Sequence, residues 1–165
     1  MYPIKLGYNK AKERIFDLSK NNHHAESLIT SVFTAEKTFR RTLRQLVVSA
    51  GFKSIIADKI MKCHRGLSQI IDAWEIFDPH HRKLGIIIRS EDLFTIKDAA
   101  QKRNKLVHGE KVFKLSDCKE DTVKVLEALD RIKNTFDIEY GYSGWKTAKS
   151  RKVSVLHIDS KVTIT

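Results

Sequence analysis

Cysteine, proline and glycine are all scarce in this chain. Two cysteines, Cys63 and Cys118, stand in no CxxC pair, which excludes a disulfide framework and points to a reducing, cytoplasmic setting. Two prolines and seven glycines in 165 residues leave few helix breakers. No run approaches the roughly 18 uncharged apolar residues that span a bilayer. Charges interrupt every short apolar stretch of the opening MYPIKLGYNKAKERIF, so no secretory signal and no membrane partner are expected. Neither GxxxxGK[ST] nor GxGxxG nor HExxH occurs, and the adjacent pairs His23-His24 and His80-His81 bring no further ligands, so no cofactor and no metal are expected. Acidic residues are also in the minority: 20 Asp and Glu against 31 Lys and Arg give a net charge of +11. That field favours nucleic acid over an anionic surface or an acidic protein as partner.

What is present is helical periodicity. The spacing predicts helices over about 8–20, 23–50, 53–64, 66–77, 90–108 and 118–136. The longest carries Leu28, Val32, Ala35, Phe39, Leu43 and Leu46 in steps of three and four, a single buried stripe. The fourth carries Leu67, Ile70, Ile71, Trp74 and Phe77, and Pro79 stops it. Ser90 is expected to cap the fifth, with Glu91 and Asp92 at the positive end of its dipole, and Gly109 to end it. Ser116 or Asp117 is expected to cap the last, with Val123, Leu126, Leu129, Ile132 and Phe136 inward. The expected fold is an all-α helical bundle over 1–138, with a basic aromatic extension over 139–165 that ends in a tail or β-hairpin. In that extension Tyr140, Tyr142 and Trp145 beside Lys146, Lys149, Arg151 and Lys152 suit either stacking on single-stranded bases or packing onto the bundle.

Two constellations carry candidate chemistry. On the fifth helix the inward stripe runs Leu93, Ile96, Ala100, Arg103 and Val107, so a guanidinium falls on the apolar face, where it is costly unless paired. Asn104 and His108 lie one turn apart beside it, and Gly109 leaves the imidazole at a helix end. An arginine, an amide and an imidazole there suit phosphate binding with acid–base catalysis; an arginine held by a structural carboxylate and a histidine ending a helix dipole are the plainer alternative. On the long helix Lys37, Arg40, Arg41 and Arg44 form a basic stripe, and Glu36 and Arg40 are an i,i+4 pair. Phosphate contact or a solvated face would each account for it.

The segment Arg103-Asn104-Lys105-Leu106-Val107-His108 resembles the R-x4-H motif of the HEPN superfamily, helical bundles in which this motif ends a late helix. Glu36-x3-Arg40-Arg41 is similar to the E-x3-K-R motif on an early helix of some HEPN families, with arginine for lysine. The resemblance covers about residues 8–136. It departs at Glu110, where some HEPN toxins have a tyrosine two residues after the histidine.

The resemblance implies a metal-independent endoribonuclease acting as a homodimer, with both motifs facing one cleft. The RNA 2′-hydroxyl would attack the adjacent phosphate. His108 would be the general acid or base, as an imidazole titrating near about 6.5 suits. Arg103 would hold the phosphate, and Asn104 would orient it or the histidine. Glu36, Arg40 and Arg41 would support Arg103, and with Lys37 and Arg44 extend the RNA surface. Members of the superfamily serve in phage defence or as toxins, which leaves room for an inhibitory protein partner. The alternatives are a non-catalytic HEPN-like module that binds RNA or protein, and an unrelated helical adaptor for an acidic partner.

Overall fold

The computed structural model describes residues 7–154 and residue 156. The chain is all-α. After α1 (Tyr8–Lys20), a turn at Asn21-Asn22, with Asn22 in the left-handed region (φ 64°), leads into α2 (His24–Ser49). The Ser27 hydroxyl donates to the Ile15 carbonyl at 3.0 Å and ties the two helices together near this turn. The six stripe positions of α2 are all at most 1% exposed, which makes this helix the axis of the bundle.

The chain continues through α3 (Ser54–Cys63), α4 (Leu67–Asp72), α5 (Trp74–Phe77), α6 (Leu84–Ile87), α7 (Ser90–Val107) and α8 (Leu115–Tyr140). The α8 helix lies along α2, and α1 and α7 flank that pair. At the centre the Phe39 ring meets Trp74 and Phe136 edge-on at 6.1 and 5.7 Å, while Trp74 and Phe136 stack at 5.0 Å. Aromatic pairs in these geometries add to the burial of their area.

Three local expectations shift. The helix expected over 66–77 breaks at Ala73 into α4 and the one-turn α5. Trp74 is pinned there by its stack and by an Nε1–H bond to the Tyr140 hydroxyl at 3.0 Å, so tertiary anchoring overrides local helix continuity. Arg89 and Lys114, rather than Ser90 and Ser116 or Asp117, occupy the N-caps of α7 and α8. Asp92 is consequently turned inward, where Arg131 of α8 donates to it at 2.7 Å. The inward face of α8 includes Thr122, Val125, Leu126, Leu129, Ile132 and Phe136, while Val123, expected inward, is exposed. Past Gly141, the segment 142–154 folds back along α2. The hairpin expected near the carboxyl terminus lies outside the described residues.

A second polar cluster fixes the far end of the bundle. Asp78 is fully buried and accepts bonds from the Tyr140 hydroxyl (2.6 Å), the Arg82 guanidinium (3.1 and 3.2 Å) and the backbone N–H groups of His80 and Arg82 (2.9 and 3.1 Å). Burial pushes its carboxyl up, but these donors outweigh it and hold the group below the usual carboxylate value. Among the described residues no helix is long and apolar enough to cross a membrane.

Candidate functional site

The α2–α7 packing brings Glu36 to Arg103. The guanidinium grips the carboxylate with both terminal nitrogens, Nη1 to Oε2 at 3.1 Å and Nη2 to Oε1 at 2.7 Å. The Arg103 side chain is only 12% exposed and that of Glu36 22%, so this pair is partly withdrawn from water and better placed than a surface bridge. The Phe33 ring underlies the guanidinium, 4.8 Å from its carbon. The charge on the apolar stripe of α7 is thus matched by a carboxylate and an aromatic face. One donor is left over: Arg103 Nε–H is buried and has no hydrogen-bond partner among the described residues. An unmet buried donor costs about 1–3 kcal/mol.

Arg103 and Glu36 lie in the wall of an open cleft of about 660 Å³ that also takes in Asn104, Lys97 and the turn Arg65-Gly66. Lys97, Gln101 and Asn104 fall at i, i+4 and i+7 on α7, and that spacing could have revealed the first two as cleft residues from the sequence. Arg65 carried no such signal. Its turn is set by Arg40, which donates to the carbonyls of Met61 (2.9 Å), His64 (2.8 Å) and Arg65 (2.8 Å), completing the open end of α3. Arg40 therefore shapes the cleft wall from outside it. The i,i+4 bond expected between Glu36 and Arg40 gives way to these two longer-range sets, because each side chain finds a more complete partner across the fold.

His108 ends α7 as its C-cap. Gly109 follows with φ 67°, Glu110 N–H donates to the Lys105 carbonyl at 2.9 Å and Gly109 N–H to that of Leu106 at 3.2 Å. This is a Schellman closure, and it needs the left-handed residue that glycine supplies. The imidazole is exposed, outside the Arg103 cleft, and makes no hydrogen bond or ion pair among the described residues. Asn104 is exposed within the cleft. Arginine and amide are thus together in one chain, with the imidazole at the adjoining helix end.

The remaining basic residues are divided. Arg44 Nε bonds Asp58 Oδ1 at 2.6 Å, and Arg41 Nη1 donates to the Gly144 carbonyl at 3.1 Å. Lys37 and Arg41 each stand 5.5 Å from the Trp145 ring. Burial first, and then the charge of Arg41, lower the Lys37 pKa. Lys37 and Arg41 hold the carboxyl-terminal arm and Arg44 is paired with α3, and none of the three lines the Arg103 cleft. The aromatic residues of the arm pack rather than project: Tyr140 and Tyr142 are buried, and the Trp145 indole donates to the Thr38 hydroxyl at 2.9 Å. No family model, curated protein or solved structure matches the chain.

Proposed function

We propose that this chain is a metal-independent endoribonuclease of the HEPN type, with Arg103, Asn104 and His108 as its catalytic residues. The observation that carries the reading is the forked Glu36–Arg103 pair in the wall of an open cleft, with Asn104 beside it. Glu36 fixes the plane of the guanidinium, and each Nη keeps a further N–H that can be offered to a phosphate oxygen. The RNA 2′-oxygen attacks the neighbouring phosphorus, the P–O5′ bond breaks, and a 2′,3′-cyclic phosphate and a 5′-hydroxyl form. His108 takes the 2′-hydroxyl proton or delivers one to the departing 5′-oxygen. Arg103 stabilises the charge that grows on the non-bridging oxygens. Because the imidazole stands outside its own chain's cleft, the active unit is a homodimer in which two helix ends complete one site. Lys97 and Arg65 add cations to the cleft, while Arg40 supports it through the 64–66 turn. A role in phage defence or as a toxin belongs to the same reading.

A non-catalytic RNA- or protein-binding module is the second reading, and the position of His108 outside the Arg103 cleft favours it. Incubating the pure chain with total RNA and tRNA in EDTA separates the two. Cleavage with cyclic-phosphate ends, lost by about a hundredfold or more in His108→Ala, is the expected result. Binding without cleavage supports the module instead, and equal cleavage by the variant removes His108 from the catalytic residues.

A further inference from the structure

The folded-back arm borders a second open cavity, of about 670 Å³, against α2. It shares no lining residue with the Arg103 cleft. Its volume falls within the roughly 300–1,000 Å³ typical of small-molecule sites. Its floor is one turn of α2 bearing Arg41, Arg44 and Gln45, and its roof is the arm from Tyr142 to Ala148.

The lining carries cations and no anion. It contains two guanidiniums, the Lys146 amine and the Tyr142 phenol, and no carboxylate. Arg44 and Lys146 reach carboxylates beyond the lining, Asp58 at 2.6 Å and Asp137 at 3.3 Å. Arg41 meets a neutral carbonyl and the Trp145 ring but no carboxylate among the described residues, and its charge is among the influences lowering the Lys37 pKa, so positive charge here is incompletely matched. The Tyr142 side chain is buried, and its hydroxyl makes no hydrogen bond among the described residues. Burial raises its pKa while Arg41 and Arg44 pull it back, as two guanidiniums near the phenol oxygen would. Planar forks together with a hydroxyl donor match the oxygens of a phosphate better than those of any neutral ligand.

The arm that roofs the cavity is itself held by polar contacts. Gln45 exchanges two bonds with the Lys149 backbone, both 3.0 Å, and Ser49 bonds Ser154 at 2.6 Å. At Gly144, with φ 86°, a Cβ would lie 2.8 Å from that of Arg41, so the close approach of arm to helix requires glycine. The floor extends for only about 5.4 Å of helix axis, room for one phosphate and its substituent rather than a run of backbone phosphates.

We propose that the cavity between α2 and the arm binds a phosphate-bearing small molecule of mononucleotide size, its phosphate held by Arg41, Arg44 and Lys146. Titration calorimetry with inorganic phosphate, AMP and a short RNA oligonucleotide tests this on the full chain. Saturable AMP binding, one per chain, that competes with inorganic phosphate is expected. Arg44→Gln, which leaves the arm's own hydrogen bonds in place, and Lys146→Gln, which gives up only the 3.3 Å contact with Asp137, should each weaken it about tenfold. Arg103→Ala should bind AMP like the parent chain, so the outcome is independent of whether RNA is cleaved. No saturable binding, phosphate binding that AMP does not displace, undiminished binding by the Arg44→Gln/Lys146→Gln double variant, or binding of the oligonucleotide alone would each overturn the proposal.

Discussion

Two of the carboxylate–arginine clusters that hold this bundle, those at Asp78 and at Glu36, are built to different standards. Around Asp78 every available oxygen is used: a phenol, a guanidinium and two backbone N–H groups converge on a carboxylate with no solvent exposure. Around Glu36 the carboxylate is gripped by a single guanidinium, remains 22% exposed in an open cleft, and leaves Arg103 Nε–H without a hydrogen-bond partner among the described residues. A cluster that only needs to hold elements together can be saturated. A cluster beside a cleft with an unmet donor keeps capacity for another molecule, at a cost to the fold.

The largest effect should come from the saturated cluster. Asp78→Ala strands Arg82 and the Tyr140 hydroxyl and should lower stability by about 3–5 kcal/mol, measured by urea unfolding. Acid separates the charge from the packing. The folded-state pKa of Asp78 is lowered, so its contribution is fully present above the unfolded value of about 3.9 and is lost as pH falls through the lower folded value. The stability gap between the parent and Asp78→Asn should therefore be constant near neutrality and narrow below about pH 4. A gap that widens in acid, or a loss under about 1 kcal/mol for Asp78→Ala, would place the two clusters on an equal footing.

How far each cluster could be read in advance follows the same division. The α2 stripe was fully legible, since all six of its apolar positions are buried, and periodicity needs no tertiary knowledge. Arg103 was legible as a charge on an apolar stripe that required a partner. The resemblance placed Glu36 among its supports, whereas helix spacing paired Glu36 with Arg40, because the i,i+4 rule sees only one helix. The Asp78 cluster was not legible: Asp78 reads as the last residue before a helix-stopping proline, and Tyr140 lies 62 residues away. The break at Ala73 was hidden for the same reason, as it is set by what Trp74 reaches in α8. The arm's aromatic and basic residues were visible as a group, but only the packed chain decides between stacking outward and binding α2.

The unsaturated cluster should give a smaller stability effect and a disproportionate functional one. Arg103→Ala should destabilise by about 1–3 kcal/mol, and a double-mutant cycle with Glu36→Ala should return a coupling of about 0.5–3 kcal/mol. If the pair serves only to pin α2 to α7, RNA cleavage or binding in Arg103→Ala will fall in proportion to the fraction unfolded. The phosphate-binding role requires a further loss at temperatures where the variant is fully folded by circular dichroism.

The Arg44–Asp58 pair extends the contrast to its weakest end. Arg44 and Asp58 meet at 2.6 Å on the surface, where the aspartate is 53% exposed. Pairs of this kind contribute about 0–1 kcal/mol, so Asp58→Asn should leave the unfolding midpoint nearly unchanged. Its effect should appear elsewhere. Arg44 also lines the arm cavity, and neutralising Asp58 removes the one carboxylate that offsets its charge among the described residues. Phosphate affinity measured by calorimetry should then rise, by less than about tenfold and more at low salt than high, because the added attraction is screened. Stability lost by more than about 1 kcal/mol would move this pair into the structural class with Asp78. Unchanged affinity at low salt would remove Arg44 from the phosphate site while leaving Arg41 and Lys146 to be tested on their own.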